Sequence, residues 1–414
     1  MNYLKLASRN LKRNRKRSIV TILIITLGFT ALGTIGGMLA NIFSRLKEQA
    51  VVNERLGHFS IEKVGFQSDG KMNPEKFLWS KSELEDILKT IRSDNSVTLA
   101  TPRISINGMI SNGTSSTIFL SEGVIPADEK ILFKTDIDGR LNHPNLAELS
   151  EKNDEIVSIS EQLAKNLKVK KGDQMTLLTT TKDGIANAND IVIGEIFNTG
   201  NPATNDKFLL SNLSLLQRLY DTDGAMRIAV TIDDLNNIES VQSRLIEALD
   251  KKGYKVESQT WNKMSASYEK VKTMFGVIFR VLTVIISVIV LLTVLNTMQM
   301  NVNERTKEIG TIRAIGMTKN NVVKLFCIEG LMMGIIGGIL GVIALMVVKV
   351  ILLVLNITFI PPVASIEVPI AILPSPPQMI ITFVIFLVVS VLSSFIASRR
   401  IVKQKVIDSL RYNN

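Results

Sequence analysis

The stretch NERTKEIGTIRAIGMTKNN, Asn303 to Asn321, is polar and charged, yet it sits between two long apolar runs. Reading outward, Met274 to Met300 precedes it and Leu331 to Leu355 follows it, and two more such runs cover Ile19 to Ile42 and Met379 to Ala397. At about 1.5 Å of helix per residue, each is long enough to cross roughly 30 Å of hydrocarbon. The first run, about 24 residues, exceeds the roughly 7 to 15 residues of a signal-peptide core, which predicts an uncleaved helix. About 220 polar-rich residues separate the first run from the second. The predicted fold is an α-helical membrane protein with four transmembrane helices and a large α/β extracytoplasmic domain. Pro361, Pro362, Pro369, Pro374, Pro376 and Pro377 separate the last two spans and end helices there.

Lys and Arg on short segments resist translocation, so their placement orients the chain. The leader carries Lys5, Arg9, Lys12, Arg13, Arg15, Lys16 and Arg17. The 301–321 loop carries Arg305, Lys307, Arg313 and Lys319, and the tail carries Arg399, Arg400, Lys403, Lys405 and Arg411. The segment from Asn356 to Gln378 has no basic residue. This predicts both termini and the charged loop in the cytoplasm, with the large domain outside. Only Glu304, Glu308 and Asp408 oppose those cations, so the three pieces hold more than the whole net charge of +10. Topology therefore accounts for the basic balance, and no nucleic-acid partner is needed.

Cys327 is the single cysteine, which excludes an intrachain disulfide and a thiolate metal cluster. His58 and His143 are too few and too far apart for a zinc or triad motif, so no metal ligand or catalytic residue is expected. There is no GxxxxGK[ST] phosphate loop and no GxSxG elbow. Nothing here reads as an enzyme.

In the large domain, HFSIEKV (58–64) alternates as a strand, Ser82 to Arg92 repeats apolar residues at helical spacing, and SVTLATPRISI (96–106) returns to strand character. The pattern recurs with RIAVTI (227–232), a helix over Leu235 to Leu249, and YKVESQTW (254–261). Two strand-helix-strand units around a separate segment predict a ferredoxin-like subdomain with an insertion near 106–224. Within it, DQMTLLTTT and DIVIGEIF flank KDGIANAN (182–189), which suits a hairpin tip.

Gly330, Gly334 and Gly338 fall at successive i+4 steps, with Gly337 and Gly341 on an adjoining row. Without β-carbons, these rows predict a close helix contact. Gly33 and Gly37 repeat the pattern in the first span. Glu329, just before the row, is placed to reach headgroups or to pair with the basic loop.

The run NERTKEIGTIRAIGMTKNNVVKLFCIEGLMMGIIGGILG (303–341) resembles the FtsX-like permease domain found in FtsX, in the macrolide exporter MacB and in the lipoprotein-releasing permeases LolC and LolE. EQLAKNLKVKKGDQMTLL (161–178) and IGEIFNTGNPATNDKFLLSNLSLLQRL (193–219) resemble the same group's periplasmic core, with its porter and sabre subdomains. The resemblance implies a permease of the mechanotransmission, type VII, class of ABC transporter in the inner membrane. A separate ATPase subunit would bind ATP and Mg, and a second permease chain would complete a homo- or heterodimer. Membrane lipid is a further expected partner, and a periplasmic carrier or adaptor stays open. Asn303 to Gly316 would form the coupling helix, with Glu304, Arg305, Glu308 and Arg313 supplying charge and Ile309, Ile312 and Ile315 apolar contacts to the ATPase. The implied division is a leader (1–17), span and stalk (18–46), periplasmic core (47–265), stalk and span (266–300), coupling loop (301–321), third span (322–355), outer loop (356–378), fourth span (379–398) and tail (399–414). The layout is nearest to LolC and LolE, which implies lipoprotein release. TTTKDGIANAND (179–190) is shorter than the LolC hook and lacks proline, so MacB-like efflux of a toxin, peptide or drug and FtsX-like control of a periplasmic hydrolase remain as alternatives.

Overall fold

The computed structural model describes residues 3–70, 72–138, 147, 149–360 and 367–402. His143, Pro361, Pro362 and the tail cations Lys403, Lys405 and Arg411 lie outside them. The chain divides into a helical unit, Met1–Ile42, Thr273–Phe359 and Pro369–Asn414, and an α/β unit, Phe43–Lys272 and Ile360–Val368. The helical unit opens with α1 (Tyr3–Arg13) and then α2 (Arg15–Glu48).

The α/β unit begins with β1 (Phe59–Lys63) and one turn of α3 (Phe66–Asp69), followed by α4 (Lys81–Arg92) and β2 (Val97–Arg103). The start of α4 is fixed by a capping box: the Ser80 amide donates to the Glu83 carboxylate at 2.8 Å and the Glu83 amide donates to the Ser80 hydroxyl at 3.4 Å. Its helical repeat then buries Leu84, Ile87 and Ile91.

The next 100 or so residues form a closed barrel. Its elements are β3 (Asn107–Ser111), β4 (Ser116–Val124), α5 (Pro126–Leu132), β5 (Ile156–Ser160), α6 (Glu161–Leu167), β6 (Gln174–Thr180), β7 (Ala186–Phe197), β8 (Phe208–Asn212) and α7 (Leu213–Tyr220). The strand order β3-β4-β8-β5-β7-β6 closes where β6 pairs with β3, and β4/β8 and β5/β7 run parallel. Inward residues such as Phe119, Ile159, Leu177, Ile193 and Leu209 are fully buried, and α6 and α7 add Leu163, Leu215 and Leu216. The β6–β7 turn is tighter than KDGIANAN suggested. Thr181 donates to the Ile185 carbonyl at 2.8 Å, Gly184 takes φ +80°, and Ala186 to Asn189 already belong to β7. These polar residues pair in register along an exposed strand, and so read as a tip in sequence.

The chain then returns through β9 (Arg227–Ile232), α8 (Ile238–Asp250), β10 (Val256–Thr260) and the short α9 (Trp261–Met264). The antiparallel sheet β10-β1-β9-β2 has the strand order of a ferredoxin-like fold, and α4 and α8 bury Ile87, Ile91, Val241 and Leu245 against it. The structure therefore shows the bracketing pattern, with a barrel between its halves. Three acid–base contacts are sealed inside this unit. Glu129 meets Arg55 at 2.7 Å and Arg103 at 2.6 Å, and Arg227 meets Glu122. Burial alone would raise the Glu129 carboxyl; the charges of Arg103 and Arg55 outweigh it and hold the group below its ordinary range. His58 is buried too. Its Nδ1 accepts from the Ile232 amide at 3.1 Å, and desolvation, with Lys47 nearby, lowers it to about 4, so it is a neutral packing residue at physiological pH. Among the described residues no cluster could hold a metal ion.

The helical unit resumes with α10 (Ala266–Glu304), α11 (Thr306–Ala314), α12 (Lys319–Leu355) and α13 (Pro376–Val402). The four helices α2, α10, α12 and α13 are long and apolar enough to cross a membrane. α13 starts on Pro376 and Pro377, where a missing N–H costs nothing.

Candidate coupling site

The glycine rows of α12 meet two different helices. A β-carbon at Gly330 would lie 2.8 Å from the Ser390 carbonyl and strike the Ser394 side chain, one at Gly334 would lie 3.1 Å from Leu387, and one at Gly338 would strike the Phe383 ring. All four belong to α13. On the adjoining row, a β-carbon at Gly337 would come within 2.7 Å of Ile25, and one at Gly341 within 2.7 Å of Phe29, both in α2. The exposed backbone is used directly: Thr26 and Thr30 of α2 donate to the carbonyls of Gly337 at 3.1 Å and Gly341 at 3.3 Å. Gly33 in turn admits Leu345 of α12.

These contacts rank substitutions. Gly330→Leu drives a side chain into backbone and should lower the stability of the full chain by at least about 1–3 kcal/mol, more than Gly334→Leu, whose neighbours are side chains. Gly276 in α10 has open space at the same position, so Gly276→Leu should be neutral. Thermal aggregation midpoints of the three variants in detergent measure the order; equal loss at Gly276 and Gly330 would show that close approach is not what the row provides.

Below the glycine rows, the polar loop folds onto the helix ends. α11 turns Ile309 inward, 5% exposed, against Val302, Val322 and Phe326. Arg305, one turn earlier, follows it: its guanidinium lies 3.1 Å from Glu329 and 3.3 Å from Glu308, and 5.5 Å from the Phe326 ring centre. Glu329 is buried and also accepts from the Asn10 amide at 2.5 Å. Arg13 reaches Glu308 at 2.5 Å, and Arg17 pairs with Glu304. That hydrogen bond from Arg13, ahead of the burial that opposes it and the contribution of Arg305, holds the Glu308 carboxyl below its usual range.

The expected docking set is thereby redistributed. Arg305 and Ile309 face inward, because residues four apart share a helix face and that face covers α12. Glu304 and Glu308 remain accessible, yet their charges are matched within the chain. Arg313 is half-buried, while Ile312 is 37% and Ile315 82% exposed. Sequence reading missed Asn10, Arg13 and Arg17 as partners of this loop. Their polar spacing could have suggested one helix face, but nothing local names residues some 300 positions away.

Residues 18–248 match the family described as MacB-like periplasmic core domain, and residues 280–406 match FtsX-like permease C-terminal. The chain belongs to the MacB/FtsX family of ABC transporter permeases. Among curated relatives, an uncharacterized ABC transporter permease of Methanocaldococcus jannaschii is 30% identical over 156 residues, 37% of this permease and 39% of that protein. The macrolide export ATP-binding/permease protein MacB of Salmonella paratyphi A is 28% identical over 170 residues, 36% of this permease and 26% of MacB. The ABC transporter permease YtrF of Bacillus subtilis is 35% identical over 117 residues, 28% and 25% of the two chains. The permease thus spans half or less of the curated relatives it matches. The extracellular domain of the transporter YknZ aligns with 49% of the permease and 98% of that domain, at 11% identity and a TM-score of 0.34.

Proposed function

We propose that this permease is the membrane component of a mechanotransmission ABC transporter and that an ATPase subunit docks on α11. The observation that carries the reading is the exposure of Ile315, 82%, and in part of Ile312, 37%, on a short polar segment between two helices apolar enough to span a membrane. The opposite face of α11 is locked to α12 through Arg305 and Ile309, so a push on the exposed face is transmitted rather than absorbed. α2, 34 residues, and α10, 39 residues, are longer than a membrane crossing requires, which suits them to carry displacement along the chain. ATP and Mg would be bound by the partner subunit, and the permease would act as one of a pair. The charge asymmetry supports a cytoplasmic α11 and a periplasmic α/β unit in an inner membrane.

The cargo would be an apolar or amphiphilic molecule, as in lipoprotein release or efflux of a hydrophobic compound. Supporting this, Ile118, Met109 and Leu178 are direct cross-strand neighbours on β4, β3 and β6, and are 61%, 48% and 42% exposed, forming an apolar row on the outer wall of the barrel. Purified with its native partners, the permease should retain a nucleotide-hydrolysing subunit whose turnover an acylated peptide stimulates. A preparation that holds such a subunit but responds only to a periplasmic hydrolase would favour a regulatory role instead.

A further inference from the structure

Two stripes of polar side chains run along α1 and the first turn of α2, one residue out of phase. Asn10, Arg13 and Arg17 form one stripe, at spacings of three and four, and contact Glu329, Glu308 and Glu304. Lys5, Arg9, Lys12 and Lys16 form the other, at spacings of four, three and four. All four are exposed, and none makes an ion pair with a described residue. On the inner side, Ala7 is fully buried and Leu11 packs against the cluster made by the spanning helices, which holds α1 at the end of the bundle. Leu4, 62% exposed, lies at the edge of the apolar face, one position before Lys5. An amphipathic helix that shows unmatched cations and an apolar residue at the end of a lipid-spanning bundle has the chemistry of a surface that reads anionic headgroups.

We propose that Lys5, Arg9, Lys12 and Lys16 bind anionic phospholipid headgroups, and that Asn10, Arg13 and Arg17 pass this engagement to α11, so that membrane surface charge sets the readiness of the coupling segment. The second half rests on the docking role of α11; the first does not. The stripes lie on two helices joined at Asn14, where the Asn14 amide donates to the Asn10 carbonyl and the Ser18 amide to the Asn14 carbonyl, each at 3.1 Å, so helical hydrogen bonding carries across the junction of α1 and α2. A shift of the lipid-facing stripe therefore moves the stripe that grips Glu308 and Glu304.

The test uses the full chain with Cys327→Ser and Leu4→Cys, labelled with an environment-sensitive fluorophore. It is reconstituted without an ATPase in discs of phosphatidylcholine, or of phosphatidylcholine with about one third phosphatidylglycerol. Emission should shift to the blue in the anionic discs, and high salt should reverse the shift. The combined Lys5→Gln, Arg9→Gln, Lys12→Gln and Lys16→Gln variant should lose the response. Identical emission in both lipids, a response that survives the four substitutions, or one that arises only when the ATPase is added would overturn lipid recognition. In the complex with its ATPase, turnover should rise severalfold in anionic discs, lose that dependence in Arg13→Glu, and regain it in the swap Arg13→Glu with Glu308→Arg. Turnover in Arg13→Glu that tracks lipid charge as in the unaltered protein overturns the link to α11. Failure to retain any ATPase would instead defeat the docking reading, while the fluorescence arm still decides lipid recognition.

Discussion

Glu129→Ala should unfold the α/β unit at markedly lower denaturant than the unaltered chain, a loss of about 3–5 kcal/mol. The carboxylate is the counter-charge of two guanidiniums, Arg55 and Arg103, which are 2% and 0% exposed. Arg55 comes from the segment before β1, Arg103 ends β2 of the ferredoxin-like sheet, and Glu129 sits on α5 after β4 of the barrel, so one side chain ties the two subdomains of the unit. Removing it leaves both guanidiniums buried without their counter-charge, although Arg55 still donates to the Asn53 carbonyl at 2.7 Å. The chain's two tryptophans, Trp79 and Trp261, both lie in this unit and are nearly buried, so their emission reports its unfolding selectively. Glu129→Gln, which keeps hydrogen bonding but not charge, should fall between. An unchanged midpoint for Glu129→Ala would mean that the arginines find other partners, and the tie would be lost as an explanation.

Arg305→Glu should have a comparable effect in the helical unit. It replaces the cation 3.1 Å from buried Glu329 with a second carboxylate, beside Glu308 as well. Breaking one side of a buried pair costs about 3–5 kcal/mol, and a like charge adds to it. α11 should leave α12, and the loosened backbone around Lys307, Arg313 and Lys319, whose two lysines are already at the surface, should become cleavable by trypsin while tryptophan emission from the α/β unit stays unchanged. The double replacement Arg305→Leu with Glu329→Leu should be milder than either single change, since it removes both desolvated charges together. A variant Arg305→Glu with native resistance to trypsin would place Arg305 on the outside after all, as its charge had first suggested.

What the sequence makes legible follows from which interactions are local. The four spans are visible because apolar length is a property of the run itself. The ferredoxin-like halves are visible because Leu84, Ile87 and Ile91, and later Val241 and Leu245, repeat at helical spacing between alternating strands. Barrel closure is different: β8 joins β4 in parallel and β7 joins β5 in parallel, pairings between distant strands that no local pattern encodes. The glycine rows announce a close contact, but their partners, Ser390 and Phe383 on one side and Ile25 and Phe29 on the other, are set by tertiary packing. Arg305 shows the limit most clearly. A charged residue on a polar loop reads as exposed unless its buried counter-charge is known, and Glu329 lies 24 positions later, inside an apolar helix.

The most direct test of ATPase docking on α11 is crosslinking from Ile315. With Cys327→Ser removing the only native thiol, Ile315→Cys and, as a control, Lys182→Cys at the β6–β7 turn are expressed in the full chain with native partners and treated with a short thiol-to-amine reagent. Ile315→Cys should join the nucleotide-hydrolysing subunit, with a yield that changes when nucleotide is added, and Lys182→Cys should not. Absence of any adduct from Ile315→Cys in a complex that still hydrolyses ATP, or an equal adduct from Lys182→Cys, would contradict docking on α11.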